Sequence, residues 1–360
     1  MKACFSILGF VLAVSAPASA ATEAQLVAAA KKEGVLQLTS NKLIYTDILI
    51  EAFTKRYPFV KVKHETFDAA SQDGYDTFES KDPAERSDVM LRCQDADMLK
   101  WTKLGWLEKL NDLPNWKSRP KRLEDDSRYV YFIGSPHVIA YNPDKLQESD
   151  LPKTYDELLD PKWDHKVVMR NPLGGNSPAF FVQFIEQKHG GLGWFEKFGK
   201  NHPFIAVTGP AVHAVVQKGD HPIALSRDLE VMTFNKRTQG PKLKFKYIEN
   251  DLPYQYQLGL MSSHAPHKAS ARLFMNWLLS KEARDVLEQN GFHVGDRQVA
   301  ELKRPTTFQW YMTKGGRDYA RYRSTLFEAQ RDLKSGGAMM QEKAALQRED
   351  HSGVAQMPND

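Results

Sequence analysis

The chain has 360 residues, of which 41% are hydrophobic and 26% charged, and its formal net charge is +4. That composition is ordinary for a globular protein, and the length suits two domains, each with a core of its own. The charge is small and dispersed, which excludes the basic stripe expected of a nucleic-acid-binding protein.

The first residues read as an export signal. Met1 and Lys2 give a short positive start, an apolar run follows over residues 3–14, and Ala18 and Ala20 put small residues where a signal peptidase cuts. The run is too short for a membrane span, so residues 1–20 are expected to be removed and the chain to be released in soluble form. No cysteine stands at the cut to take a lipid. Cys4 leaves with the signal, and Cys93 then has no disulfide partner and reads as an inert core thiol.

A helix is predicted over residues 24–32, closed by Gly34. A strand follows at 35–39, then a turn at Ser40-Asn41-Lys42. Helical periodicity runs from 43 to 57 and stops at Pro58. Strands are predicted at 60–64 and 88–92, the second followed by a helix with Met98, Trp101 and Leu104 on one face. This alternation predicts an α/β fold with a largely parallel sheet.

Residues 130–134 and 137–141 read as two strands split by Ser135-Pro136, which suits a crossing between lobes. A helical turn at 154–159, a strand at 166–169, a loop at 171–178 and a helix at 179–188 come next. Thr208-Gly209-Pro210 opens another helix, and 222–226 is a strand. Amphipathic helices cover 269–279 and 281–289. The tail after residue 335 is polar and reads as disordered. There are no repeats and no long linker, so the two lobes are expected to be interleaved.

Three segments carry a family resemblance. Tyr141-Asn142-Pro143 follows a strand; Leu151-Pro152-Lys153-Thr154-Tyr155-Asp156-Glu157-Leu158-Leu159-Asp160-Pro161-Lys162-Trp163 is the second; His264 to Ala269 with Phe274 to Ala283 is the third. On these residues the chain resembles the type II periplasmic solute-binding proteins of ABC importers, in particular their ferric-iron-like branch, over residues 33–333. The resemblance implies the periplasmic binding protein type II fold: two interleaved α/β lobes with a ligand cleft at the hinge. It places lobe one at 21–135, lobe two at 136–255, a return to lobe one with C-terminal helices at 256–335, and the tail at 336–360. It also implies a periplasmic monomer, without cofactor or catalysis, that hands a small molecule to a membrane permease driven by an ATPase subunit. Ferric-binding relatives carry two adjacent tyrosines just after the strand equivalent to 223–226. Here that place reads Arg227-Asp228-Leu229-Glu230, so direct iron chelation is not carried over.

In open α/β sheets ligands bind beyond the carboxyl ends of strands, where helix starts favour anions. Those places hold Ser40 and Asn41, Arg92 and Cys93, and the loop Gly175-Asn176-Ser177, with Ser177 expected as an N-cap and Pro178 as the first helical residue. Thr208 repeats that arrangement, Arg227 and Asp228 end another strand, Ser135 lies at the crossing, and Tyr254 lies beside the return crossing. Two arginines from opposite lobes suit carboxylate or phosphonate oxygens, and Asp228 suits an amino group. The set predicts a small anionic or zwitterionic organic ligand: a phosphonate, or a phosphorylated or carboxylated metabolite. Each residue also has a plainer reading. Arg92 pairs with Asp95, Arg227 with Asp228, Ser177 only caps a helix, and Tyr254 only packs in the core.

The histidines are scattered and read as structural or solvated. No HExxH run, paired-cysteine zinc pattern, GxSxG elbow or phosphate loop occurs. Two alternatives stay open: a ferric-ion receptor with another ligand set, and a secreted α/β hydrolase.

Overall fold

The structure is a computed structural model, and it describes residues 22–41, 43–67, 78, 80, 82, 86–93, 97–118, 127–174, 176–249, 252–294, 305–307, 328–334 and 339–340. The expected signal segment and most of the expected tail lie outside the described residues.

Helix α1 (Glu23–Glu33) is fixed at both ends by local chemistry. The Thr22 hydroxyl accepts from Gln25 N, and Gln25 Oε1 accepts from Thr22 N at 2.8 Å, a capping box. Gly34 closes the helix at φ +68°, a conformation only glycine adopts freely, and its N–H donates to Ala30 O at 2.9 Å. Strand β1 (Val35–Asn41), helix α2 (Ile44–Arg56) and strand β2 (Lys61–Phe67) form a parallel βαβ unit. Strand β3 (Val89–Cys93) lies parallel to β1 on its other edge and leads toward α3 (Asp97–Lys103).

The expected break at Ser135-Pro136 is not a break in the strand. Strand β4 (Tyr129–Tyr141) runs through it for 13 residues. What changes there is the partner. Residues up to Pro136 pair with β9 (Leu252–Met261), whereas His137 onward pairs with β7 (Ile223–Arg227), and Val138 onward also pairs with β8 (Lys244–Tyr247). Proline has no N–H to give a ladder, and it stands at this exchange.

The remaining elements are β5 (Val167–Arg170), α4 (Asn176–Lys188), α5 (Gly193–Gly199), β6 (Phe204–Ala206), α6 (Gly209–Lys218), α7 (Asp228–Arg237), α8 (Lys268–Leu278), α9 (Lys281–Gln289), β10 (Pro305–Thr307) and β11 (Met339–Met340). The main sheet order is β11-β6-β5-β7-β4-β9-β3-β1-β2. Strands β5, β6 and β7 are mutually parallel, as are β1, β2 and β3, while β4 and β9 run antiparallel between the two sets.

Each half-sheet has its own apolar packing. Phe53, Phe274 and Trp277 meet edge to face on one side, and Phe180, Phe184, Trp194 and Phe198 fill the other. Burying each such ring stabilises the fold by about 2 kcal/mol. Among the described residues no helix is long and apolar enough to cross a membrane.

Candidate functional site

Strand ends from both half-sheets converge on one short stretch of β4. Cys93, the last residue of β3, is paired with Gln257 of β9, and Gln257 with Ile133 of β4. Arg227, the last residue of β7, is paired directly with His137. The register therefore brings the carboxyl ends of both parallel sets to Ile133–His137, about 13 Å of strand. Helices α4, α6 and α7 begin beyond the ends of β5, β6 and β7 on the same side.

On the first half, Ser40 and Asn41 are buried at the end of β1. Ser40 Oγ donates to Asn41 O at 3.0 Å and lies 2.9 Å from His64 Nε2. Burial lowers the pKa of that imidazole. Asn41 Oδ1 accepts from the Tyr45 hydroxyl at 2.6 Å, and the same hydroxyl lies 3.1 Å from Gln257 Oε1. Gln257 Nε2 is buried and has no hydrogen-bond partner among the described residues. Arg92 lies within β3 rather than beyond it; its guanidinium sits 5.3 Å from the Trp101 ring centre and its Nη1 3.8 Å from Met90 Sδ. Cys93 is described only as the last residue of that strand.

At the crossing, Ser135 Oγ donates to Asp228 Oδ1 at 3.1 Å, and Leu229 N donates to the same oxygen at 2.6 Å. Asp228 Oδ2 lies 3.4 Å from both the Tyr247 hydroxyl and His293 Nε2, which are themselves 2.8 Å apart. His293 O also accepts from Gly134 N at 2.8 Å. Burial, and then the Asp228 charge, push the Tyr247 phenol well above its usual range. This cluster joins the segment after α9 to β4, β8 and α7. Tyr254 is buried inside β9 and lies against Gly134: a methyl group there would come 1.6 Å from its hydroxyl oxygen. His137 stacks on Phe180 and Phe181, each with ring centres 5.7 Å away. Burial lowers its pKa to about 3, and its Nε2 has no partner among the described residues.

On the second half, Arg227 Nη2 donates to Glu230 Oε1 at 2.7 Å and Nε to the same oxygen at 3.2 Å. Ser226 Oγ lies 3.3 Å from Glu230 Oε2 and 2.8 Å from His213 Nε2. Burial opposes ionisation of Glu230, but the charges of Arg227, Arg170 and His213 outweigh it and bring its pKa down to about 2. Burial lowers His213 to about 4. The Thr208 hydroxyl accepts from Ala211 N at 3.4 Å as the cap of α6. Helix α4 starts at Asn176, so Ser177 and Pro178 sit within its first turn rather than at cap and first position. Proline is tolerated there because first-turn N–H groups have no intrahelical acceptor. Gly175 lies outside the described residues, and of Asn176 only its place at the helix start is described.

Several residues at this convergence escape a reading of the sequence. Arg170 is the last residue of β5, and a methyl on Gly209, at the start of α6, would lie 3.8 Å from its Nη1. The strand-end criterion that selects Arg92 and Arg227 finds it once the strand is extended by one residue. Gln255 and Gln257 are fully buried in the run Tyr254-Gln255-Tyr256-Gln257, where polar residues in a buried strand are the signal. Glu230 and His213 carry no such signal.

A family model described as bacterial extracellular solute-binding protein matches residues 49–286. The chain belongs to this family. Among curated proteins, this solute-binding protein is 23% identical over 180 residues to the Fe(3+)-binding periplasmic protein of Serratia marcescens. That stretch is 48% of this chain and 52% of the relative, so the match spans about half of either protein. Among solved structures it is similar to the substrate binding protein of the ABC transporter from Agrobacterium tumefaciens, with a TM-score of 0.70, 14% identity, and 83% of this chain and 94% of that chain covered. It is also similar to the periplasmic binding protein AfuA from Actinobacillus pleuropneumoniae with fructose-6-phosphate bound, with a TM-score of 0.66, 15% identity, and 84% and 99% covered. These likenesses establish the type II periplasmic binding protein fold that the sequence resemblance implies.

Proposed function

We propose that this solute-binding protein is the periplasmic capture component of an ABC importer and that its ligand is a small organic anion, of the phosphate-ester, phosphonate or carboxylate class. The observation that carries the reading is the convergence of strand ends on Ile133–His137, with Arg170 and Arg227 at the carboxyl ends of β5 and β7. Guanidinium groups beside helix starts suit a multi-oxygen anion. Both charged groups at the end of β7 already have partners, Asp228 in Ser135 and Leu229 and Arg227 in Glu230, so an anion there would add to these contacts rather than fill vacant ones. The name of the fructose-6-phosphate-bound structure fits the same class.

The mechanism is differential binding. A ligand that touches both lobes only when they close shifts the population toward the closed form, which a permease with its ATPase would recognise. Micromolar affinity corresponds to about −8 kcal/mol, within reach of a few charge-assisted hydrogen bonds in a pre-formed site. No catalytic step belongs to this reading.

A second reading follows from the Fe(3+)-binding relative: ferric iron carried with a bound anion. Thermal-shift measurement against sugar phosphates, phosphonates, di- and tricarboxylates and ferric citrate separates the two, since a ligand of the folded state raises the melting temperature. A rise with an iron-free anion is the expected result. A rise with ferric salts alone would replace this reading with the second, and product formation from a phosphate ester without transport components would replace both with a hydrolase.

A further inference from the structure

The opposite end of the second half-sheet carries another polar cluster. Asp164 and His165 lie in the turn before β5 and His202 just before β6. They stand at the amino ends of two paired parallel strands, whereas Arg170 and the start of α6 stand at the carboxyl ends. His202 Nδ1 is 2.7 Å from Asp164 Oδ1, and His165 Nε2 is 3.7 Å from that same oxygen. The two imidazoles stack with ring centres 4.6 Å apart and planes 7° apart. One ligand atom from each of the three residues lies within 4.8 Å of the others. Solvent reaches all three side chains, which are 47%, 54% and 41% exposed in chain order.

The backbone fixes both histidines in the left-handed region, with φ of +55° at His165 and +44° at His202, the only non-glycine residues there among those described. Such a conformation persists only where the surroundings over-determine it. Here His165 N donates to Asn201 O at 2.9 Å and His202 N to Gly199 O at 3.0 Å. The buried Asn201 amide donates to Leu158 O at 2.9 Å and Asp160 O at 2.8 Å, tying the two turns together.

From this geometry we propose that Asp164, His165 and His202 form a site for a borderline divalent transition-metal ion, of the zinc, nickel or copper class. Two imidazole nitrogens and one carboxylate oxygen are the donor set such ions take, with water completing the shell. Magnesium and calcium ask for oxygen donors throughout. The cation takes the place of the proton between His202 Nδ1 and Asp164 Oδ1; that proton passes to solvent, and the metal-bound neutral imidazole carries its N–H on Nε2. Rotation of the exposed His165 side chain brings its nitrogen to the same ion. The bound ion clips the turn before β5 to the turn before β6, away from the strand ends that hold the proposed solute site.

Equilibrium dialysis of the untagged, chelator-stripped chain with zinc tests this. The expected result is one zinc per chain at micromolar affinity, displaced by nickel or copper and not by magnesium or calcium. His165→Asn and His202→Asn place at each position a residue at home at positive φ, so they remove a ligand while sparing the backbone. Each should weaken zinc binding by more than about a hundredfold, beyond the roughly 10- to 100-fold that loss of an outer-shell partner costs, with an unchanged circular dichroism spectrum. Absence of zinc uptake at submillimolar concentration, or uptake that both substitutions leave intact, would overturn the proposal.

Discussion

Arg227 and Glu230 form a buried ion pair one turn apart, with 2.7 Å between Nη2 and Oε1 and side chains only 4% and 15% exposed. The strand ends on the arginine and the helix it feeds supplies the acid, so the pair fastens β7 to α7. Breaking it from one side leaves an uncompensated buried charge. Glu230→Gln should lower unfolding stability by about 3 kcal/mol, measured by urea denaturation. Arg227→Met combined with Glu230→Gln should cost less than the sum of the single changes. Additive losses would mean that the two side chains do not stabilise one another.

Stability should fall with acid well above the carboxylate range. Burial lowers His137 to about 3 and His213 to about 4, while an imidazole in the unfolded chain titrates near ~6.5. The unfolded state therefore binds protons first, and the stability contributed by these neutral rings is full above about pH 6.5 and is lost as pH falls toward 4 and then 3. Glu230, at about 2 in the fold, adds a second loss that starts below the usual glutamate pKa of ~4.3. The melting temperature should be flat from pH 8 to 7 and decline below that, roughly within the window set by these pKa values. His213→Gln should flatten the decline; a wild-type curve flat down to about pH 4 would contradict the burial of both rings.

Gly134→Ala should destabilise the fold without touching any charged group. The added methyl would lie 1.6 Å from Tyr254 Oη and 2.0 Å from its Cζ, so the buried ring must move. A loss of about 1–3 kcal/mol is expected for such overpacking. Adding Tyr254→Ala should cost less in this background than alone, which chemical denaturation of the four proteins reads directly.

Once an anionic ligand is in hand, the arginines can be ranked. Arg170→Ala and Arg227→Ala should each weaken its binding by about 10- to 100-fold, the range of a charge-assisted hydrogen bond. Arg92→Ala should cost stability first, because its guanidinium lies over Trp101, and Arg227→Ala should cost stability as well as affinity, because it leaves Glu230 without its ion-pair partner. Calorimetry showing the anion's affinity unchanged in both Arg170→Ala and Arg227→Ala would remove the support for the solute site.

Local chemistry made much of the fold legible. Gly34 announces the end of α1, Pro58 the end of α2, and the alternation of strands and helices gives the α/β class. The break expected at Ser135-Pro136 is instead an uninterrupted strand that changes its pairing partner there, and a change of partner leaves no trace in periodicity. Arg170 was hidden by a single residue of strand length. His165 and His202 are far apart in sequence, and only the parallel pairing of β5 with β6, Val168 against Phe204, lines them up. The partners of Arg227 illustrate a limit of adjacency. Its neighbour Asp228 points to Ser135, while the acid that meets the guanidinium is a helical turn away.

A strand that belongs to two half-sheets makes their unfolding a shared event. Val130 is held by the β9 ladder and Val138 by β7 and β8, yet both sit on the same rod. Detaching it from one side would loosen the ladder on the other, so the halves are expected to melt together and the two valine amides to lose their exchange protection in one step.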